Sequence, residues 1–124
     1  AMTDVTGFGL LGHLTEMCEA SEASALIDFS KIPWIDETII KAYIDEGCIP
    51  GGTVRNWDSY GHKIALSDES QKNILADPQT SGGLLVAIDP VYDEEFNIIC
   101  KQNHLDLVSF GTITYKKEKT VYVM

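Results

Sequence analysis

The chain has 124 residues, 44% of them hydrophobic, with nineteen Asp and Glu against nine Lys and Arg for a net charge of −10. That length fits one domain with a core of its own. The acidic balance excludes a basic nucleic-acid face and attraction to an anionic membrane, and any phosphate ligand would call for a divalent cation as mediator.

The chain opens on "AMTDVTGFGLLGHLTEM", a glycine-rich motif with no evident strand before it. We expect a domain cut from a longer protein. A first helix is predicted from Phe8 to Glu22, with Thr6 as its N-cap. Phe8, Leu11, Leu14 and Cys18 fall at helical spacing and should face a core, while Glu16, Glu19 and Glu22 face solvent. "SALIDF" (Ser24–Phe29) reads as a strand. Pro33 permits a second helix with an apolar face of Ile35, Ile39, Ile40, Tyr43 and Ile44, stopped at Gly47. Cys48–Gly61 reads as a long irregular loop, and loops of that length in a compact domain tend to be functional.

"HKIALS" reads as a strand, and Ser67 or Asp68 caps a short helix ending near Ala76. The turn "DPQTSGG" (Asp77–Gly83) leads into "LLVAI" (Leu84–Ile88), an apolar run expected as a central strand covered on both faces. Asp89 and Pro90 form an N-cap and N1 pair for a helix ending near Asn103, with Asp93, Glu94 and Glu95 in its first turns. "LVSFGTITY" and "TVYVM" are expected to pair as a hairpin across Lys116–Lys119. This order predicts an α+β or α/β layered sandwich, with one mixed sheet and helices packed on it.

Three segments carry candidate chemistry. Gly7, Gly9 and Gly12 spell G-x-G-x-x-G. A dinucleotide site needs a strand before these glycines and a second strand ending in an acid, here Asp28. Asp4 opposes that reading, because it would repel a pyrophosphate unless a cation stood between them. Asp4 is either a surface acid near a helix start or a Mg²⁺ ligand beside glycines that admit close approach. In "PGGTVRN" (Pro50–Asn56), Gly51 and Gly52 serve a turn with positive φ, or their amides and Arg55 reach an anion. In "DPQTSGG" the glycines serve packing, or Thr80, Ser81 and the glycine amides form an anion nest. Ser81 lacks the context of a nucleophile.

The cysteines at 18, 48 and 100 are widely spaced, which argues against a zinc site and fits a reducing compartment. Cys18 and Cys100 read as buried and inert, Cys48 as a loop residue. His13, His62 and His104 read as structural or exposed. With no signal peptide and no membrane-length apolar run, a soluble cytoplasmic protein is expected.

Taken together, "TDVTGFGLLGHLTEM", "GCIPGGTVRN" and "LADPQTSGGLLVAI", with the closing "FGTITYKKEKTVYVM", resemble the C-terminal domain of selenophosphate synthetase (selenide, water dikinase) across essentially the whole chain, residues 1–124. The wider superfamily includes aminoimidazole ribonucleotide synthetase, thiamine monophosphate kinase and a hydrogenase maturation protein. The resemblance implies an α/β layered, partly ferredoxin-like domain of a two-domain, homodimeric enzyme. That enzyme makes selenophosphate, AMP and phosphate from ATP, selenide and water with Mg²⁺. It implies that Asp4 belongs to the Mg²⁺ site and that the catalytic nucleophile and lysine lie in an N-terminal domain outside this chain. No catalytic residue is therefore expected here. Thr6, Gly7, Arg55, Gly82 and Gly83 are expected to shape or line the phosphate side. The alternatives are another ATP-dependent member of the superfamily, or a stand-alone dimerisation domain that kept the fold.

Overall fold

A computed structural model describes residues 1–124. The chain runs β1 (Met2–Asp4), α1 (Gly9–Ala20), β2 (Ala23–Ile27), α2 (Glu37–Asp45), α3 (Gly51–Tyr60), β3 (Ile64–Leu66), α4 (Lys72–Leu75), β4 (Leu84–Val86), α5 (Asp93–Gln102), β5 (Gly111–Tyr115) and β6 (Val121–Val123). The α+β class holds, but the strands form two sheets rather than one. β1 and β4 make an antiparallel ribbon, and a mixed sheet has the order β3-β6-β2-β5.

The core gathers around α1. Leu11, Leu14 and Cys18 share one buried cluster with Ala25, Ile27, Ile64, Val121 and Val123 of the mixed sheet. Val5, Tyr60, Leu75, Ala76 and Leu85 extend that cluster toward the ribbon, so α1 is the element both sheets share. Phe8 departs from its expected place: it is 52% exposed, because α1 begins only after it. Thr6 is not the side-chain cap. The N-cap position falls on Phe8 with no side-chain bond, and the Thr6 carbonyl accepts from Gly9 N–H instead.

The expected closing hairpin does not form. β5 pairs antiparallel with β2 on one side, and β6 pairs parallel with β2 on the other. The segment between them crosses over the start of β2. There the fully buried Ser24 hydroxyl accepts from Lys117 N–H at 2.8 Å and donates to the Lys119 carbonyl at 2.9 Å. A polar side chain inside the sheet thus takes up backbone groups that a hairpin turn would have bonded itself.

Three further expectations are corrected. The residues read as a long loop contain α3, and neither Gly51 nor Gly52 takes positive φ. "LLVAI" is not a central strand. Register pairs Leu84 with Asp4 and Val86 with Met2 on the outer face of the ribbon, and only Leu85 is buried. The second helix starts at Glu37, where the Asp36 carboxylate accepts from Ile39 N–H at 3.0 Å. Its apolar face exists as a periodicity, but Ile39 and Tyr43 stay more than half exposed because no other element of the chain lies over them.

The remaining caps follow the sequence. Gly47 ends α2 at a φ of +80°, Asp68 forms a capping box with Gln71, and Asp89 accepts from Val91 N–H with Pro90 at the first position. No helix is long and apolar enough to cross a membrane.

Candidate functional site

The three motif segments meet in one hydrogen-bonded junction. β1 runs into the "VTGFG" turn beside the "DPQTSGG" loop: Val5 N–H donates to the Gly83 carbonyl at 2.9 Å, and Gln79 N–H donates to the Thr6 carbonyl at 3.0 Å. The α3 helix closes the third side. Asn56 donates its side-chain amide to the carbonyls of Gly7 and Ala76, both at 2.9 Å. Thr53 donates to the Asp77 carboxylate at 3.2 Å, and the Tyr60 hydroxyl donates to the Phe8 carbonyl at 2.6 Å.

The glycines make this approach feasible. Gly9 sits at a φ of +70°, and a Cβ there would lie 2.8 Å from the Ala76 carbonyl carbon. A Cβ on Gly12 would stand 2.9 Å from the Tyr60 ring, and one on Gly82 would stand 2.6 Å from the Val5 carbonyl oxygen. Two of the three glycines in G-x-G-x-x-G, Gly9 and Gly12, are therefore required by close packing, and Gly7 is not. The dinucleotide reading fails on topology as well: β1 and β2 lie in different sheets, so no parallel β-α-β unit surrounds the glycines. Asp28, its proposed ribose acid, instead accepts from Ser30 N–H to start a short turn.

Asp4 is exposed at the end of β1, opposite Leu84 in the ribbon. Its carboxylate has no hydrogen bond or ion pair within the chain. The hydroxyl of Thr3 reaches only its backbone carbonyl, at 3.4 Å. Gly7, Gly82 and Gly83 lie in the same junction, with open space around the Cα of Gly7 and of Gly83. The Thr6 hydroxyl lies 3.1 Å from His13 Nε2. Arg55 stands on the exposed side of α3 and forms no hydrogen bond or ion pair with any of them. Thr80 and Ser81 are exposed, and no side chain converges on Ser81.

Asn56, Thr53 and Tyr60 are the site-building residues that motif reading passed over. They recur at helical spacing as the buried stripe of α3. Polar tips at i, i+3 and i+7 were the available signal. Asp77 is half-buried, and burial pushes its carboxyl above the ordinary range, opposed by the Thr53 hydrogen bond. Burial also raises the Cys18 thiol, helped by the neighbouring Glu19 charge, which keeps it unreactive.

No three His, Cys, Asp or Glu side chains cluster to hold a metal ion. Asp4 offers one free carboxylate. Mg²⁺ takes one or two carboxylates, several waters and substrate phosphates. The donor set thus fits a share of such a site and not a whole one.

Fold and junction together define an α+β domain whose glycine-rich segments lock together beside one exposed carboxylate, Asp4, that has no partner within the chain. The chain matches the AIR synthase related protein, C-terminal domain, over residues 1–124, and it belongs to that family. Among curated proteins it is 52% identical over 123 residues to a selenide, water dikinase of Haemophilus influenzae, covering 99% of this chain and 35% of that protein. It is 48% identical over 124 residues to one from Colwellia psychrerythraea, covering 100% and 36%. It is 54% identical over 113 residues to one from Aeromonas hydrophila, covering 91% and 32%. The chain spans about a third of the length of these relatives. The motif resemblance and the relatives agree.

Proposed function

We propose that the chain serves as the C-terminal domain of a selenophosphate synthetase, whose intact form makes selenophosphate, AMP and phosphate from ATP, selenide and water. The observation that carries this reading is the unpartnered Asp4 carboxylate, held beside Thr6 and Gly7 where the three motif segments lock together. Phosphoryl transfer asks the protein mainly for positioning and charge neutralisation. Mg²⁺, when bound, would neutralise the phosphates of ATP. Asp4 would hold it from this side, and Gly82 and Gly83 would keep the Val5–Thr6 backbone close. Thr6 and Gly7 would face the phosphate side, and Arg55, free of any partner, would be open to an anion.

The remaining two thirds of the intact protein would supply the nucleophile, the catalytic lysine and most nucleotide contacts. We place the intact protein in the cytoplasm as a homodimer. The 124-residue chain by itself would not catalyse the reaction, and titration calorimetry should find no micromolar ATP–Mg²⁺ binding to it.

The test is selenide-dependent AMP release by the intact protein, with and without Asp4→Asn. The reading predicts AMP only when selenide is present, a loss in the variant, and partial recovery at high Mg²⁺. An active parent with an unaffected variant would return Asp4 to a surface acid. Activity without selenide dependence would favour another ATP-dependent member of the superfamily.

A further inference from the structure

β4 has an open edge. Ala1 and Ala87 exchange both backbone hydrogen bonds, at 2.9 and 2.8 Å, and Val5 N–H reaches the Gly83 carbonyl at 2.9 Å. In an antiparallel ladder the residues of the alternate pairs turn their N–H and C=O groups outward. On β4 these are Leu84 and Val86, opposite Asp4 and Met2. β4 pairs with β1 alone, and no hydrogen bond from elsewhere in the chain reaches those outward groups. Strand edges meant for solvent are blunted by charge, lysine above all, or by proline. β5, an edge of the mixed sheet, fits that rule: it carries Thr112 and Thr114 and is followed by Lys116 and Lys117. Leu84–Ile88 has no charged, polar or proline residue.

The face beside that edge is apolar too. Met2 is 65% exposed and Leu84 67%, and Val86 shares their side of the ribbon. Ile88 carries the surface on into a groove of about 250 Å³, lined also by Tyr92, Glu95, Phe96 and Ile99. α5 packs chiefly on the Pro90–Tyr92 turn just before it, which leaves Ile98 and Ile99 about half exposed. A two-stranded ribbon with an uncovered apolar face is marginal by itself. Whatever covers this face also takes water from the Leu84 and Val86 backbone, whose polar groups must then be bonded. A strand laid along β4 meets both needs. Its backbone bonds the edge, and its side chains extend the apolar face.

We propose that the β4 edge and the apolar surface beside it receive a strand from the part of the same intact protein that lies outside these 124 residues. About two thirds of the length of the curated relatives lies outside the matched region, so the occupant is tethered to the face it covers and docks without the cost of a second molecule. β4 is then an edge in this chain and an inner strand in the intact protein. The inference rests on the reading that the chain is one domain of a longer protein, and not on the reaction that protein performs. Selenide-dependent AMP release, measured on the same preparation, reports that reaction separately. The test is amide hydrogen exchange of the intact protein, resolved to single residues. Leu84 and Val86 should exchange about a hundredfold or more slower than open amides, as inward-bonded Leu85 and Ala87 do. Leu84→Lys should lower the urea midpoint of the intact protein, although Leu84 is an exposed position within these residues alone. Open-amide exchange at Leu84 and Val86 overturns the proposal, and so does an unmoved midpoint in Leu84→Lys. Protection that vanishes on dilution to the monomer assigns the face to a second copy and overturns it as well.

Discussion

Asn56 donates its side-chain amide to the Gly7 carbonyl at 2.9 Å, and the same nitrogen reaches the Ala76 carbonyl at 2.9 Å. One buried amide on α3 therefore ties the turn that follows Asp4 to the end of α4. A carbonyl left unpaired in such a place costs the desolvation of that group, about 1–3 kcal/mol. Asn56→Ala strips two carbonyls at once and should destabilise the protein by about 2–4 kcal/mol in urea unfolding. Asn56→Asp keeps the shape but cannot donate, so it should be at least as damaging. A near-neutral Asn56→Asp would mean that water replaces the bond and that α3 does not position the turn.

The glycines at 7, 9 and 12 should separate by steric demand rather than by motif position. Gly9 has positive φ and meets the Ala76 and Asp77 backbone, and Gly12 meets the Tyr60 ring, whereas a Cβ on Gly7 meets nothing within 4 Å. Left-handed backbone costs a non-glycine residue about 1–2 kcal/mol, and overpacking about 1–3 more. Gly9→Ala should lose about 3 kcal/mol or more by thermal or urea unfolding, Gly12→Ala about 1–3, and Gly7→Ala less than about 1. A nucleotide cradle would leave that stability order unchanged and add a loss of nucleotide binding in Gly7→Ala, which the steric reading does not predict.

Glycine and small polar residues made the site legible, because few structures other than a close-packed turn call for "DVTGFG" and "DPQTSGG". Those segments do meet, and Asp4 stands free where they do. The glycine pair at Gly51 and Gly52 misled in the opposite direction. Their low helix propensity hid α3, yet a Cβ on Gly52 would stand 2.7 Å from Pro78, so tertiary packing outweighs propensity there. The closing strands show a deeper limit. Alternation and a basic turn fit a hairpin equally well whether or not another strand lies between its arms. Only Ser24, a hydroxyl on a strand otherwise made of apolar residues, marked the place where β2 inserts. "LLVAI" misled because a continuous apolar run is silent about which face is covered, and here Leu84 remains 67% exposed.

The acid limb of stability should contain opposing contributions from named carboxylates. Asp28 and Asp68 are held below their ordinary value, chiefly by hydrogen bonds from the Ser30 and Ser70 side chains, so the stability they contribute is present above about 3.8 and lost as pH falls through their folded values. Asp77 runs the other way. Burial raises its carboxyl above the ordinary value of 3.8, so the folded state holds that proton more tightly than the unfolded one. Its contribution is complete below 3.8 and is lost as pH rises through the folded value. Asn mimics the protonated form and still accepts from Thr53. Asp77→Asn should therefore match the parent at low pH and exceed it at pH 7, by less than about 1 kcal/mol because solvent still reaches the carboxyl. Urea unfolding of parent and variant at paired pH values isolates this difference from Asp28 and Asp68, which both proteins share. A variant less stable than the parent at pH 7 would show the ionised carboxylate to be favoured after all. The source of that favour would be the positive N-terminal end of α3, whose first-turn Thr53 donates to it.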